Sequence, residues 1–299
     1  MNFLPFAIFG YALTAGSIVI DKILLRHSLP NPLAYTFYIS ILGLLAILII
    51  PFGVKFDSTP VIFSLLSGIF STIALYTLFQ ALKGGEASVV GPVVGALNPL
   101  FTIIISSVFL SQDLSYNQLG AFSILMFGAI ILTFNIWASK LQVNQQLLWI
   151  ITSGLFWALG YIFLRQAFLT GDLLSGLAIS RLGSAIFVLP IFFIPILKVK
   201  LAISKPVGKI SLKKTGLLLL CGQTMGALSG LLLSFATSLA NPALVNSLFG
   251  VQYLVILIVA LILGKAHSSL LEERLTRFAL IQKIIGAAVL SWGVYLLSK

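Results

Sequence analysis

A handful of residues in this chain could do chemistry, and all of them stand inside long apolar runs where a polar group is costly. Arg181, in "AISRLGSAIF", lies about 12 Å along its helix from the nearer end of its run. A central arginine costs about 2.5–3.5 kcal/mol on insertion scales, so its side chain must face protein or water. A guanidinium held there can capture a carboxylate or a phosphate. The plainer reading lets it snorkel to the headgroups or pair with Asp172. Asn98 and Pro99, in "VVGALNPLF", fall near the centre of another run. The proline removes a backbone donor and frees a carbonyl on the preceding turn, and Gly95 loosens the same helix. Gly95 and Pro99 therefore read as a local hinge, and Asn98 as a polar point facing substrate. The competing reading is a packing kink whose amide bonds to a neighbouring helix.

Further polar and aromatic residues lie at similar depth. Gln252 and Tyr253 match the level of Asn98 in a later run, and Gln223 in "CGQTMG" adds a third amide. Trp157 and Tyr161 could wall a binding cavity, although such aromatics also serve as packing or interface anchors. These residues, with Arg181, form the expected substrate-binding set. The acidic residues are Asp21, Asp57, Glu86, Asp113, Asp172, Glu272 and Glu273, and none falls at a midplane. Proton relays in carriers use intramembrane carboxylates, so coupling would fall to Asp21 or Glu86, near the ends of their runs. Asp21-Lys22 reads equally as a boundary pair, and a facilitator or exchanger fits as well as a proton antiporter.

Other chemistry is not indicated. His27 and His267 are far apart and Cys221 is single, so no metal-ligand cluster and no internal disulfide are expected. The chain has no H-E-x-x-H, no G-x-S-x-G, no Gly-rich nucleotide loop and no mid-membrane carboxylate pair. An enzyme and a cofactor are not expected.

The elements that must position these residues follow from composition. Of 299 residues, 59% are hydrophobic and 8% charged, against about 25% charged in a soluble domain. The chain reads as an integral membrane protein. A bilayer core of about 30 Å needs roughly 20 apolar residues per helix. The runs fall at 3–25, 33–54, 60–82, 87–110, 117–137, 147–168, 173–197, 215–239, 242–264 and 278–297. Ser115 and Gln118 are spaced as a capping box for the fifth. The first run lacks a basic leader and is read as a retained span.

The two halves, 1–140 and 141–299, look like copies. Gly10 and Gly16 in the first run match Gly154 and Gly160 in the sixth, and Asn98 aligns with Tyr253. Five spans per half is an odd number, so the second half enters the membrane in the opposite sense. The expected fold is all-α, with ten transmembrane helices in two inverted five-helix repeats, a recurrent design of secondary transporters.

Most of the 18 Lys and Arg fall in connections on one side of the membrane. The side holding both termini has Lys55, Arg165 and Lys299, and Arg181 lies inside a span. The positive-inside rule then places both termini outside the cytoplasm, in a plasma (inner) membrane. The net charge of +11 is thereby a topology signal, with no basic domain to bind nucleic acid.

Residues 87–132, from "ASVVGPVVGALNPLF" onward, and 242–297 share a pattern: a span rich in small residues, an acidic connection, then a span with an early and a late glycine. These segments resemble the ends of the two repeats of EamA-like members of the drug/metabolite transporter superfamily. The resemblance implies a ten-helix carrier with a central cavity between the halves. Two features depart from the pattern: Asp113 stands where glutamate is common, and the charges place the termini outside. The expected partners are a small-molecule substrate and the lipid bilayer. The expected function is alternating-access transport of a small polar metabolite, of the amino acid or organic acid class. A flippase for a lipid-linked sugar or phosphate is the alternative, and a structural or receptor-like membrane protein without transport is the third reading.

Overall fold

The computed structural model describes residues 2–27, 31–84, 87–109, 115–133, 145–194, 212–252, 254–255, 258 and 277–298. Among them the chain forms helices and no strand. In chain order these are α1 (Leu4–His27), α2 (Pro32–Ile41), α3 (Ser58–Gly84), α4 (Ala87–Phe109), α5 (Tyr116–Thr133) and α6 (Gln145–Thr170). They continue with α7 (Leu173–Phe193), α8 (Leu212–Leu239), α9 (Pro242–Ser247) and α10 (Arg277–Ser298). Five of these helices, α1, α3, α6, α7 and α8, are long and apolar enough to cross a membrane. Large apolar side chains such as Phe9, Leu48, Phe127, Leu148 and Leu217 stay exposed, as a lipid-facing surface requires.

Local chemistry sets where helices begin. Asn-Pro opens both α2 and α9: the Asn31 side chain accepts from Leu33 N at 3.0 Å and Asn241 from Ala243 N at 2.8 Å, with proline at the first helical position. The capping box of α5 is present, with Ser115 N bonded to Gln118 Oε1 at 3.1 Å and Gln118 N to Ser115 Oγ at 3.3 Å. At Asn98-Pro99, by contrast, α4 continues through the pair.

Two runs depart from a continuous α-helix. The second leaves α geometry at Leu42 and winds as a 3-10 helix to Phe52. It carries Gly43, which lies against the backbone carbonyl of Arg181, and Pro51, which lacks a donor. The tighter winding rises about 2.0 Å per residue, so the run still covers distance with fewer residues in α form. The ninth breaks after Ser247, where Leu248 N and Phe249 N bond three residues back to Val245 and Asn246.

The helices pack in pairs joined by small residues and hydroxyls. Between α3 and α6, Ser67 Oγ donates to Gly160 O at 2.8 Å and Ser153 Oγ to Ala74 O at 2.9 Å. Between α1 and α8, Ser229 Oγ donates to Gly10 O at 2.8 Å and Ser17 Oγ to Gly222 O at 3.1 Å. Hydroxyls bonded across close-packed small residues take the part that hydrophobic burial plays in water. Ser184 joins α7 to α3 through Gly68 O at 3.0 Å, and Gln282 joins α10 to α5 through Ile131 O at 2.8 Å. Helix α9 lies on α4, where the Phe249 ring fills the notch left by Gly95.

Candidate functional site

Helix α8 runs along a polar seam, and three charged side chains reach it at different heights. In the middle, Arg181 extends from α7 to Gly230, where a Cβ would lie 2.5 Å from its Nη2. Tyr161 of α6 lies close to that guanidinium, and Tyr11 of α1 lies close to Tyr161. Tyr161 stacks on Trp157, with centroids 6.0 Å apart and planes at 29°. The neighbours of Arg181 come from helices on both sides, yet its side chain stays exposed. Among the described residues it meets no carboxylate. Just below, the hydroxyls of Thr14 and Ser229 stand 2.6 Å apart.

About 12 Å along α8 toward its start, Asp21 faces Gly222. The Tyr35 hydroxyl of α2 donates to Asp21 Oδ1, Ser17 bonds to the same carboxylate, and Gln223 bonds to Tyr35. About 10 Å from Gly230 in the other direction, Arg165 of α6 meets the end of α8. Its Nη1 donates to Thr237 O at 2.8 Å and to Ser238 O. The side chain is buried, and its Nε has no partner among the described residues. Carbonyls at a helix C-terminus carry partial negative charge, which suits a guanidinium without a carboxylate.

Residues 3–134 match the sequence profile of the EamA-like transporter family. That match spans somewhat under half of the chain, so its first half carries an EamA-like region, a family of the drug/metabolite transporter superfamily. A solved structure, described only as the crystal structure of a protein, aligns with this chain at a TM-score of 0.63 and 14% identity. The alignment covers 98% of this chain and 97% of the other, and at that identity it speaks for the fold alone. No curated protein matches by sequence.

Along the seam stand Arg181, Tyr161, Trp157, Gln223 and Asp21, all among the residues singled out from the sequence. It leaves out Asn98, which is buried with Thr102 and with Asn246 of α9. Asn246 Nδ2 donates to Thr102 Oγ1 at 3.0 Å and to Asn98 Oδ1 at 3.4 Å, and Thr102 Oγ1 donates to Asn98 O at 2.8 Å. Gln252 is likewise buried, and Gly95 and Pro99 lie in the same packed crossing. Tyr253 and Glu86 lie outside the described residues.

Two sequence-based readings need correction. Arg165 is no solvent-facing connection charge, because its side chain is buried in α6 against α8. Asp172 does not pair with Arg181. It caps α7, accepting from Ser175 N at 2.8 Å and Ser175 Oγ at 2.7 Å. Partial burial pushes its carboxyl upward, but the Ser175 bonds and the Lys55 charge outweigh that and hold it below the usual aspartate range. Tyr11, Thr14, Tyr35, Ser229 and Gly230 were missed. Only Gly230 carried a sequence signal, as one of several glycines evenly spread along α8.

Proposed function

We propose that this transporter carries a small organic anion, an amino acid or organic acid, by alternating access along the α8 seam, with Arg181 binding its carboxylate. The observation that carries this reading is an exposed guanidinium deep in the helix assembly, close to Tyr161 and free of any described carboxylate. A cation set among helices with no counter-charge beside it can take an anion, since a bidentate carboxylate satisfies its fork of donors. Tyr161 and Trp157 supply an apolar wall, and Gln223 a polar group further along.

Alternating access rests on the proposed ten-helix inverted repeat, with halves 1–140 and 141–299. The packing supports it: α3–α6 and α8–α1 exchange under a swap of the halves, as α4–α9 and α5–α10 map onto themselves. Helix directions fit too, since α1–α8, α3–α6 and α5–α10 are antiparallel. That alternation is what ten successive crossings produce. A plasma-membrane location with termini outside follows from the charge distribution.

The test is a thermal-stability panel of the purified protein with amino acids, organic acids, sugars and lipid-phosphate headgroups. A ligand at a hundred times its dissociation constant adds about 2.7 kcal/mol. Stabilisation by a soluble carboxylate, absent in Arg181→Gln, is the expected result. Stabilisation by lipid-like phosphates alone would replace this reading with a flippase.

A further inference from the structure

The register that lays Gly10 and Gly16 on Gly154 and Gly160 also lays Asp21 on Arg165. The two halves therefore carry opposite charges at the same position, and each charge ends at an opposite end of the seam. Arg165 clamps the end of α8 through the carbonyls of Thr237 and Ser238. Asp21 holds the Tyr35 hydroxyl beside Gly222. The Tyr35 ring is itself fully buried in an apolar plug with Leu24 of α1 and Phe79 of α3, joined by Leu218 and Leu219 of α8. Tyr35 and Phe79 have centroids 4.9 Å apart. The plug lies beyond Asp21 toward that end of the seam, so the carboxylate grips the one plug residue that reaches inward.

We propose that Asp21 is a proton-binding gate that keeps the Tyr35 plug seated, and that Arg165 is its non-titrating counterpart at the far end. The ionised carboxylate accepts a charge-assisted bond from the Tyr35 hydroxyl. Binding a proton turns it into a neutral carboxylic acid, weakens that bond and loosens the plug. The groups facing Asp21 are Tyr35 from α2, Gln223 and Gly222 from α8, and Ser17 from its own helix; α3 contributes Phe79 to the plug. Lys22 follows Asp21 in α1, and along α8 the nearest charged positions are Lys214 and, over Gly230, Arg181, each about 12 Å from Gly222. Arginine stays protonated at all accessible pH, so the Arg165 clamp does not respond. One end of the pathway is thus opened by acid and the other is indifferent to it.

The experiment is hydrogen exchange by mass spectrometry on the protein in lipid nanodiscs, between about pH 5 and about pH 8, corrected for intrinsic exchange, where interior carboxylates titrate. It needs no substrate, so its outcome is separate from the identity of the cargo at Arg181. Peptides covering 16–27, 32–41 and 212–226 should exchange roughly tenfold faster at the acid end, the factor expected for losing a bond to a charged group. Asp21→Asn should show the acid rate at every pH, and Tyr35→Phe should do the same. Arg165→Lys should keep the pH response. No pH dependence in the wild type, or an unaltered one in Asp21→Asn, overturns the proposal. If Asp21→Asn does not fold, the wild-type titration and Tyr35→Phe decide it by the same criteria.

Discussion

Two helix crossings in this protein place polar side chains deep among apolar residues, and they use them in opposite ways. At the α4–α9 crossing, Asn98, Thr102 and Asn246 are buried and hydrogen-bond to one another, and the Phe249 ring fills the space over Gly95. At the α7–α8 crossing, Arg181 lies over Gly230 with its side chain open and no described carboxylate beside it. The first arrangement is bonded largely within itself, with Asn246 Oδ1 left without a partner among the described residues, and holds helices together. The second leaves donors unspent. Depth in the membrane is common to both, so depth alone does not mark a binding residue; what marks it is whether neighbours satisfy the polar group.

The comparison can be broken from either side. Arg181→Gln is the largest expected effect: about a hundredfold loss of affinity for a small carboxylate, the factor for losing charge-assisted bonds. Its melting temperature should stay near that of the wild type. Retained affinity, read by isothermal calorimetry, would remove Arg181 from the site. Asn246→Ala should do the reverse, costing about 2 kcal/mol of stability by removing the bonds that Asn98 Oδ1 and Thr102 Oγ1 accept across the crossing, while ligand affinity persists. Asn98→Leu belongs with it, and a transport loss at unchanged melting temperature would return Asn98 to the binding set.

Gly230→Ala sharpens the same contrast at finer scale. A methyl at that position displaces the Arg181 guanidinium, so carboxylate affinity should fall about tenfold, or roughly 1.4 kcal/mol, with little change in unfolding. The smallest effect is expected at Asp172→Ala, which removes the α7 cap for about 1 kcal/mol. Because the Asp172 carboxyl sits below its ordinary range, its contribution is full above the unfolded aspartate pKa. It disappears as pH falls through the lowered folded value. Melting curves against pH should therefore converge for wild type and variant only in acid.

Much of this was readable from residue types and order. The long apolar runs, the Asn-Pro starts of α2 and α9 and the Ser115–Gln118 capping box depend on local covalent chemistry and on the hydrocarbon thickness of a bilayer. So does the cost that forces Arg181 to face protein or water. The 3-10 winding after Ile41 was hidden, because it depends on Gly43 meeting a carbonyl of α7. Tyr11 and Tyr35 were equally silent, since a tyrosine in a span is ordinary until its neighbour is known.

The sequence by itself determined that this chain is a membrane protein of the EamA-like kind, with scarce charges that each need an explanation. Only the tertiary structure decided which of those charges and deep polar groups were already explained. Arg165 finds the carbonyls at the end of α8, Asp172 finds Ser175, and Asn98 finds Asn246, whereas Arg181 finds a glycine and an open face. The reason is geometric. Cost of burial belongs to a residue type, but hydrogen-bond satisfaction belongs to pairs of groups within about 3 Å, and those pairs come together only when distant helices pack.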